Sequence, residues 1–273
     1  MPIPKMTRKG RAATLREITS SSNEICKQVK KLLSSRGYRR DSGRFVTEGK
    51  RLFADALASG LQPLELLLSS GLSPDERLEY ASCCERAYLL PQSLMTSLSD
   101  TRTPQGVMAV FPLPKPSAAP VLEGDKLLIL VSLQDPGNVG TILRTAEAFG
   151  IGRVILSTDC PDLYSPKLLR ATMGGVFRLP ITVAPDIPGV IGALRAQGVR
   201  VLAAALREGA LPLDELDLRG RVCAVVGNEG NGLPDEIIGL CSGAAIIPMK
   251  GAAESLNAAM AAGIFLWEMT KND

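Results

Sequence analysis

Three loops of this 273-residue chain carry residue types that could do chemistry. The first is DPGNVGTILRTAEAFG (135–150), which follows the apolar run KLLILVS (126–132) and so reads as strand, loop, helix. That layout often holds a phosphate at the helix start, yet neither GxGxxG nor the lysine-bearing phosphate loop is present. Asn138 reads as the helix cap, since its side chain can accept from the backbone two or three residues on. Ile142, Ala146 and Phe149 form the expected buried stripe. Arg144, roughly 200° round from Ile142, points to the opposite face.

The second loop is VVGNEGNGLPDEI (225–237), in which a strand enters a glycine-rich turn and Pro234 opens a helix with Asp235 and Glu236 in its first turn. Glycines let a backbone approach a ligand closely. The turn holds Glu229 and no Lys or Arg, and acids already occupy the helix start, so a phosphate would be repelled. A neutral or cationic ligand fits better, and S-adenosylmethionine, with a sulfonium and no phosphate, is one. The third loop is AAIIPMKGAAESLNAAMAAG (244–263), with a strand to Pro248, a small-residue turn, Ser255 as the helix cap, and Asn257. Leu256, Met260, Gly263 and Trp267 are the expected packed stripe of that helix.

Much chemistry is excluded by composition. There is no histidine and no CxxC among six cysteines, which removes a CxxC or His-based zinc site and any Ser–His or Cys–His nucleophile. Six buried thiols in a reducing cytoplasm are the expectation. A nicotinamide oxidoreductase needs a glycine turn that QDPGNVG does not supply. No apolar run is long enough for a membrane span, and the basic N-terminus lacks the core of a secretory signal.

Elements that would position these loops can be read from periodicity. Apolar β-branched runs at 126–132, 153–157, 176–183, 199–205, 221–226 and 244–248 alternate with helical patterns at 138–150, 165–173, 188–197 and 234–240. A last helix spans 254–268. Such alternation predicts a mostly parallel sheet covered on both faces, with ligands beyond the carboxyl ends of its strands. Upstream, a smaller α/β unit is predicted, with a helix over 49–60, a strand over 63–70, a helix over 73–87 and a strand over 106–112. The expected organisation is a basic tail at 1–20, a first domain at 21–111, a proline-rich linker at 112–122 and a second domain at 123–273.

Net charge is only +3, but residues 1–51 carry 14 Lys or Arg against four Asp or Glu. That asymmetry points to a polyanion. Lys30, Lys31, Arg36, Arg39, Arg40 and Arg44, interleaved with Tyr38 and Phe45, are the expected RNA-binding residues.

Taken together, the three loops resemble the SpoU/TrmH family of RNA ribose 2′-O-methyltransferases in order and spacing, supported by SPKLLRATMGGVFRLP (165–180). FVTEGKRLFADAL (45–57) is similar, more weakly, to the small RNA-binding domain many members carry. The resemblance implies an α/β fold whose C-terminal parallel sheet ends in a SPOUT-type trefoil knot, a homodimer, and S-adenosylmethionine bound in the knot. Asn138, Arg144, Glu229, Ser255 and Asn257 match its functional positions, and Gly227, Ile247 and Leu256, with Ala204, Asn228, Gly230 and Pro248, its cofactor-binding region. The implied reaction is methyl transfer to a ribose 2′-hydroxyl, in ribosomal RNA before transfer RNA, without a metal. Arg144 is a poor base, so a phosphate clamp that steadies the developing alkoxide is favoured over deprotonation. Glu229 would orient Arg144 or Asn138. The alternative is a non-catalytic RNA-binding protein that keeps the fold.

Overall fold

The computed structural model describes residues 15–114, 124–251 and 255–271. The chain forms two compact units. One comprises the described residues up to 114 together with 162–177, and the other the described residues of 116–161 and 178–273.

In chain order, the first unit contains β1 (Leu15–Glu17), α1 (Glu24–Ser34), α2 (Arg36–Ser42), β2 (Arg44–Glu48), α3 (Lys50–Ala58), β3 (Glu65–Ser69), α4 (Pro74–Ala81), β4 (Ala87–Leu90), α5 (Gln92–Leu98) and β5 (Val107–Pro112). Its sheet runs β1-β4-β3-β5-β2, with β1/β4 and β4/β3 parallel and the remaining pairs antiparallel. Asn23 starts α1 by accepting from the Ile25 amide. The helix then buries Cys26, Val29 and Leu32 against Val46, Leu67 and Met108. The opposite face of the sheet carries Phe45, whose ring meets those of Phe111 at 5.8 Å and Tyr164 at 4.7 Å.

Three readings from the sequence change here. Residues 15–17, expected in the tail, pair as β1 with β4, while 1–14 lie outside the described residues. Of the linker expected at 112–122, residues 115–122 also lie outside them. The helix expected over 73–87 stops at Ala81, and the short apolar run of β4 follows. The segment expected in the second domain at 165–173 forms the helix we number α7 (Pro166–Thr172), which packs on β2 in the first unit.

The second unit contains β6 (Lys126–Leu130), α6 (Pro136–Ala148), β7 (Arg153–Ser157) and, after α7 and the short α8 (Gly175–Arg178), of which 175–177 belong to the first unit, β8 (Ile181–Ala184), α9 (Ile187–Ala196), β9 (Arg200–Ala204), β10 (Leu211–Pro212), β11 (Val222–Val226), α10 (Asp235–Leu240), β12 (Gly243–Ile246) and α11 (Ala258–Thr270). The expected strand over 176–183 is therefore a helical turn followed by β8; Pro180 between them has no N–H to continue either ladder. The sheet order is β10-β12-β9-β11-β6-β7-β8 and every pairing is parallel. Parallel strands buried on both faces need continuous apolar runs, and β6 and β11 are buried throughout. Leu127 and Ile129 pack with Ile191, Leu194 and Ile237 of α9 and α10. Leu128 and Leu130 point to the other face by strand alternation, and there α11 packs on α6 and on β11.

All six cysteines are free and buried. Burial pushes the Cys241 thiol up to about 11 and raises Cys223 as well, so neither is a thiolate nucleophile near neutral pH. No helix among the described residues is long and apolar enough to cross a membrane.

Candidate functional site

Past the carboxyl ends of β9, β11 and β12 lies a cavity of about 460 Å³, within the range of small-ligand sites. Ala204, Gly227, Asn228, Glu229, Gly230, Ile247, Ser255 and Leu256 line it; Pro248 does not. Its floor is set by backbone contact. A Cβ on Gly227 would stand 2.4 Å from the Gly232 carbonyl, so only glycine fits there. Asn228 closes the turn, because its Oδ1 accepts from the Gly230 amide at 2.9 Å and the Asn231 amide at 3.0 Å. Asp235 and Glu236 open α10, which disfavours an anion at that end. The cavity does have one cation that the turn sequence does not announce: Arg207, from the segment after β9.

One chain of hydrogen bonds joins all three motif loops. Glu229 accepts from the Gln134 amide at 3.1 Å, the Asp135 amide at 3.2 Å and Asn138 Nδ2 at 3.0 Å. Asn138 Oδ1 accepts in turn from Asn257 Nδ2 at 3.0 Å. Asn257 Oδ1 accepts from the amides of Ala259 at 2.9 Å and Met260 at 3.3 Å, which caps α11. Partial burial alone would raise the Glu229 carboxyl, but the bonds from Asn138 and from the backbone outweigh it and hold the group below the usual carboxylate range.

Two helix caps differ from expectation. Asp135, not Asn138, caps α6, accepting from the Gly137 amide at 3.1 Å. An Asp followed by Pro136 at the first helical position is the signal for this. Asn138 then lies inside the first turn, with its amide free to bridge Glu229 and Asn257. Likewise Asn257, not Ser255, caps α11, and Ser255 faces the cavity. Arg144 is exposed on α6, as expected from its position relative to Ile142, and has no hydrogen bond or ion pair among the described residues. Glu229 thus contacts Asn138, and no bond to Arg144 is present.

Residues 125–267 match the SpoU rRNA Methylase family, and residues 23–109 match the MRM3-like substrate binding domain. The chain belongs to the SpoU rRNA methylase family. Among SpoU relatives, the 23S rRNA (guanosine(2553)-2′-O)-methyltransferase RlmP of Bacillus subtilis is 32% identical over 93% of this chain and 99% of its own. The 23S rRNA (uridine(2479)-2′-O)-methyltransferase of Streptomyces viridochromogenes is 31% identical over 96% and 94%. The AdoMet-bound rRNA methyltransferase from Sinorhizobium meliloti superposes with a TM-score of 0.83 at 32% identity, over 94% of this chain and 98% of that one.

On the substrate-binding side of this SpoU protein, Lys30, Lys31, Arg36 and Arg40 are exposed on α1 and α2. Lys31 lies over the Tyr38 ring, 5.5 Å from its centroid. Arg44 is half-buried, 3.9 Å from Glu65. Arg39 does not belong to this face. It is 4% exposed, pairs with Asp162 at 2.7 Å, and donates to the Leu32 and Leu33 carbonyls. Phe45 is also core rather than surface. In both cases a basic-aromatic stretch cannot tell from its composition which members turn inward. The packed stripe of α11 is Ala258, Ala262, Phe265, Leu266 and Met269, whereas Leu256 before the helix and Met260 and Trp267 on it are 39, 62 and 53% exposed. That helix is apolar on nearly every side, so spacing does not select the buried face.

Proposed function

We propose that this chain transfers a methyl group from S-adenosylmethionine to a ribose 2′-hydroxyl of ribosomal RNA, as its named relatives do. The observation that carries this is the Glu229–Asn138–Asn257 relay beside a glycine-floored cavity, with Arg144, on the same helix as Asn138, making no hydrogen bond or ion pair among the described residues. When bound, the cofactor supplies an electrophilic methyl carbon on a sulfonium. Gly227 admits it close to the backbone, Leu256 and Ile247 offer apolar cover, and Arg207 matches an amino-acid carboxylate. Glu229 and Asp235 give the cavity its negative character. Methyl transfer to an alcohol is an in-line displacement in which the hydroxyl gives up its proton to solvent water; it needs the hydroxyl oxygen aligned and the negative charge that grows there stabilised. Arg144 does the second by gripping the adjoining phosphate with a planar, permanently charged fork. The relay does the first, by holding α6 and the head of α11 in one arrangement, and Ser255 faces the same space.

Lys30, Lys31, Arg36 and Arg40 hold the RNA backbone at the substrate-binding domain. The trefoil knot belongs to the same reading; in support, the chain leaves β11, passes through α10, pairs β12 with β9 and returns to β11 as α11. A homodimer would cover Met260 and Trp267, and the cytoplasm, where ribosomal RNA is made in bacteria, is the site of action. The test is twofold. Calorimetry with S-adenosylmethionine should show one site per chain, and ribose-methylation mapping of ribosomal RNA from cells with and without the gene should show one position lost. Absence of both heat and lost methylation would overturn the reading.

A further inference from the structure

Ser132 contributes no side chain to the cavity, yet it adopts a backbone conformation that L-residues avoid, with φ at +54°. A left-handed conformation is disfavoured for a non-glycine residue, so something must hold it there. Three segments do. The Ser132 amide donates to Ser157 Oγ at the end of β7, at 2.9 Å. Its carbonyl accepts from Asn228 Nδ2 at 2.8 Å and from Gln134 Nε2 at 2.9 Å. The Ser157 hydroxyl also donates to Asp159. Hydrogen bonds from the Ser132 and Ser157 hydroxyls hold the Asp159 carboxyl below its usual range, so this cluster keeps a charged acceptor at neutral pH.

Asn228 is the residue whose Oδ1 closes the 228–231 turn, and the next residue, Glu229, receives the Gln134 and Asp135 amides. The first motif loop and the glycine-rich loop are thus latched twice, and Ser132 makes one latch. An extended Ser132 would swing its carbonyl away from Asn228.

We propose that Ser132 is a positioning residue for methyl transfer, whose left-handed turn aims one carbonyl at Asn228 and so sets the loop bearing Asn138 and Arg144 in register with the loop that lines the cavity. This rests on the methyl-transfer reading above. Two substitutions separate the turn from the hydroxyl. Ser132→Thr keeps the hydroxyl but adds a β-branch that disfavours the left-handed region. Ser132→Gly loses the hydroxyl and accepts the turn without strain.

Single-turnover methylation at saturating cofactor and ribosomal RNA is one readout, with RNA affinity measured separately. Ser132→Thr should slow the chemical step about tenfold, in the range that small misplacements cost, with RNA affinity unchanged, and Ser132→Gly should stay within about threefold of wild type. Hydrogen–deuterium exchange of the free protein is the second readout. Ser132→Thr should raise exchange together in 131–137 and 226–233, and Ser132→Gly should not. A Ser132→Thr rate equal to wild type, a fall in Ser132→Gly as deep as in Ser132→Thr, exchange confined to 131–137, or exchange raised throughout the chain would each overturn the proposal. Wild-type protein that neither binds S-adenosylmethionine nor methylates RNA would instead sink the methyl-transfer reading, and the exchange pattern judges Ser132 independently of it.

Discussion

Arg144 and Glu229 are both exposed charged residues, but their surroundings differ sharply. Glu229 accepts three hydrogen bonds, whereas Arg144 has none among the described residues. An unengaged guanidinium is available to substrate; an engaged carboxylate is part of the frame. Arg144→Ala should therefore lower methyl transfer about 10²-fold or more while cofactor affinity in calorimetry stays within about threefold, and Arg144→Lys should recover little because it loses the fork. Glu229 should show its frame role in stability. Its folded carboxyl is held below the usual range, so its contribution is present above the unfolded pKa and is lost as pH falls through the folded value. Calorimetric unfolding of wild type and Glu229→Gln should then differ most near neutral pH and converge in acid. At this scale the sequence singled out Asn138, Glu229 and Asn257, which hydrogen bonds join, without displaying the contacts that each makes. Asn138 and Asn257 are both good caps, but Asp135 with Pro136 takes the cap of α6, which frees the Asn138 amide for a role that no local pattern displays.

At the level of elements, the parallel strands were readable because burial on both faces demands unbroken apolar runs; β6, β7, β9 and β11 fall inside the runs expected for them, and β12 starts one residue before its run. Helix faces were readable only where polar residues mark the other side. On α6 exposed Arg144 contrasts with buried Ile142 and Ala146, and the expectation matches. On α11 almost every residue is apolar, and the expected stripe is the exposed one. The start of α11 makes a sharper prediction. Asn257→Ala removes both the cap of α11 and the donor to Asn138, so it should cost about 1–2 kcal/mol in urea unfolding, more than a cap alone tends to. Asn257→Asp, which can still cap but cannot donate to Asn138, should recover stability without recovering methylation rate.

At the scale of the whole molecule, Lys30, Lys31, Arg36 and Arg40 lie exposed on α1 and α2, and Met260 and Trp267 on α11 are among the exposed large apolar side chains. Replacing Lys30, Lys31, Arg36 and Arg40 together by alanine should weaken RNA binding and reduce the salt slope by about 3, at ~0.7–0.9 per phosphate contact, with cofactor binding unaffected. Met260→Asp with Trp267→Glu should convert a dimer to a monomer in sedimentation velocity; a wild-type monomer at micromolar concentration would refute the homodimer. The packing of 162–177 into the first unit was not legible, because SPKLLRATMGGVFRLP reads as one more strand-and-helix repeat and only tertiary contact shows where Tyr164 goes.

The Arg39–Asp162 pair has a practical corollary for anyone dissecting this enzyme. The guanidinium and its counter-ion are 123 positions apart in the chain, so no single scissors-cut through the proline-rich stretch yields a self-sufficient front half. A gene fragment stopping at 114 would strand a sequestered cation without its anion, a defect of about 3–5 kcal/mol, and would strip Phe45 of the Tyr164 and Phe177 rings that lie against it. The segment that chain order would file with the methylase half has to be inherited by the half that carries the substrate-binding domain before either can be studied alone.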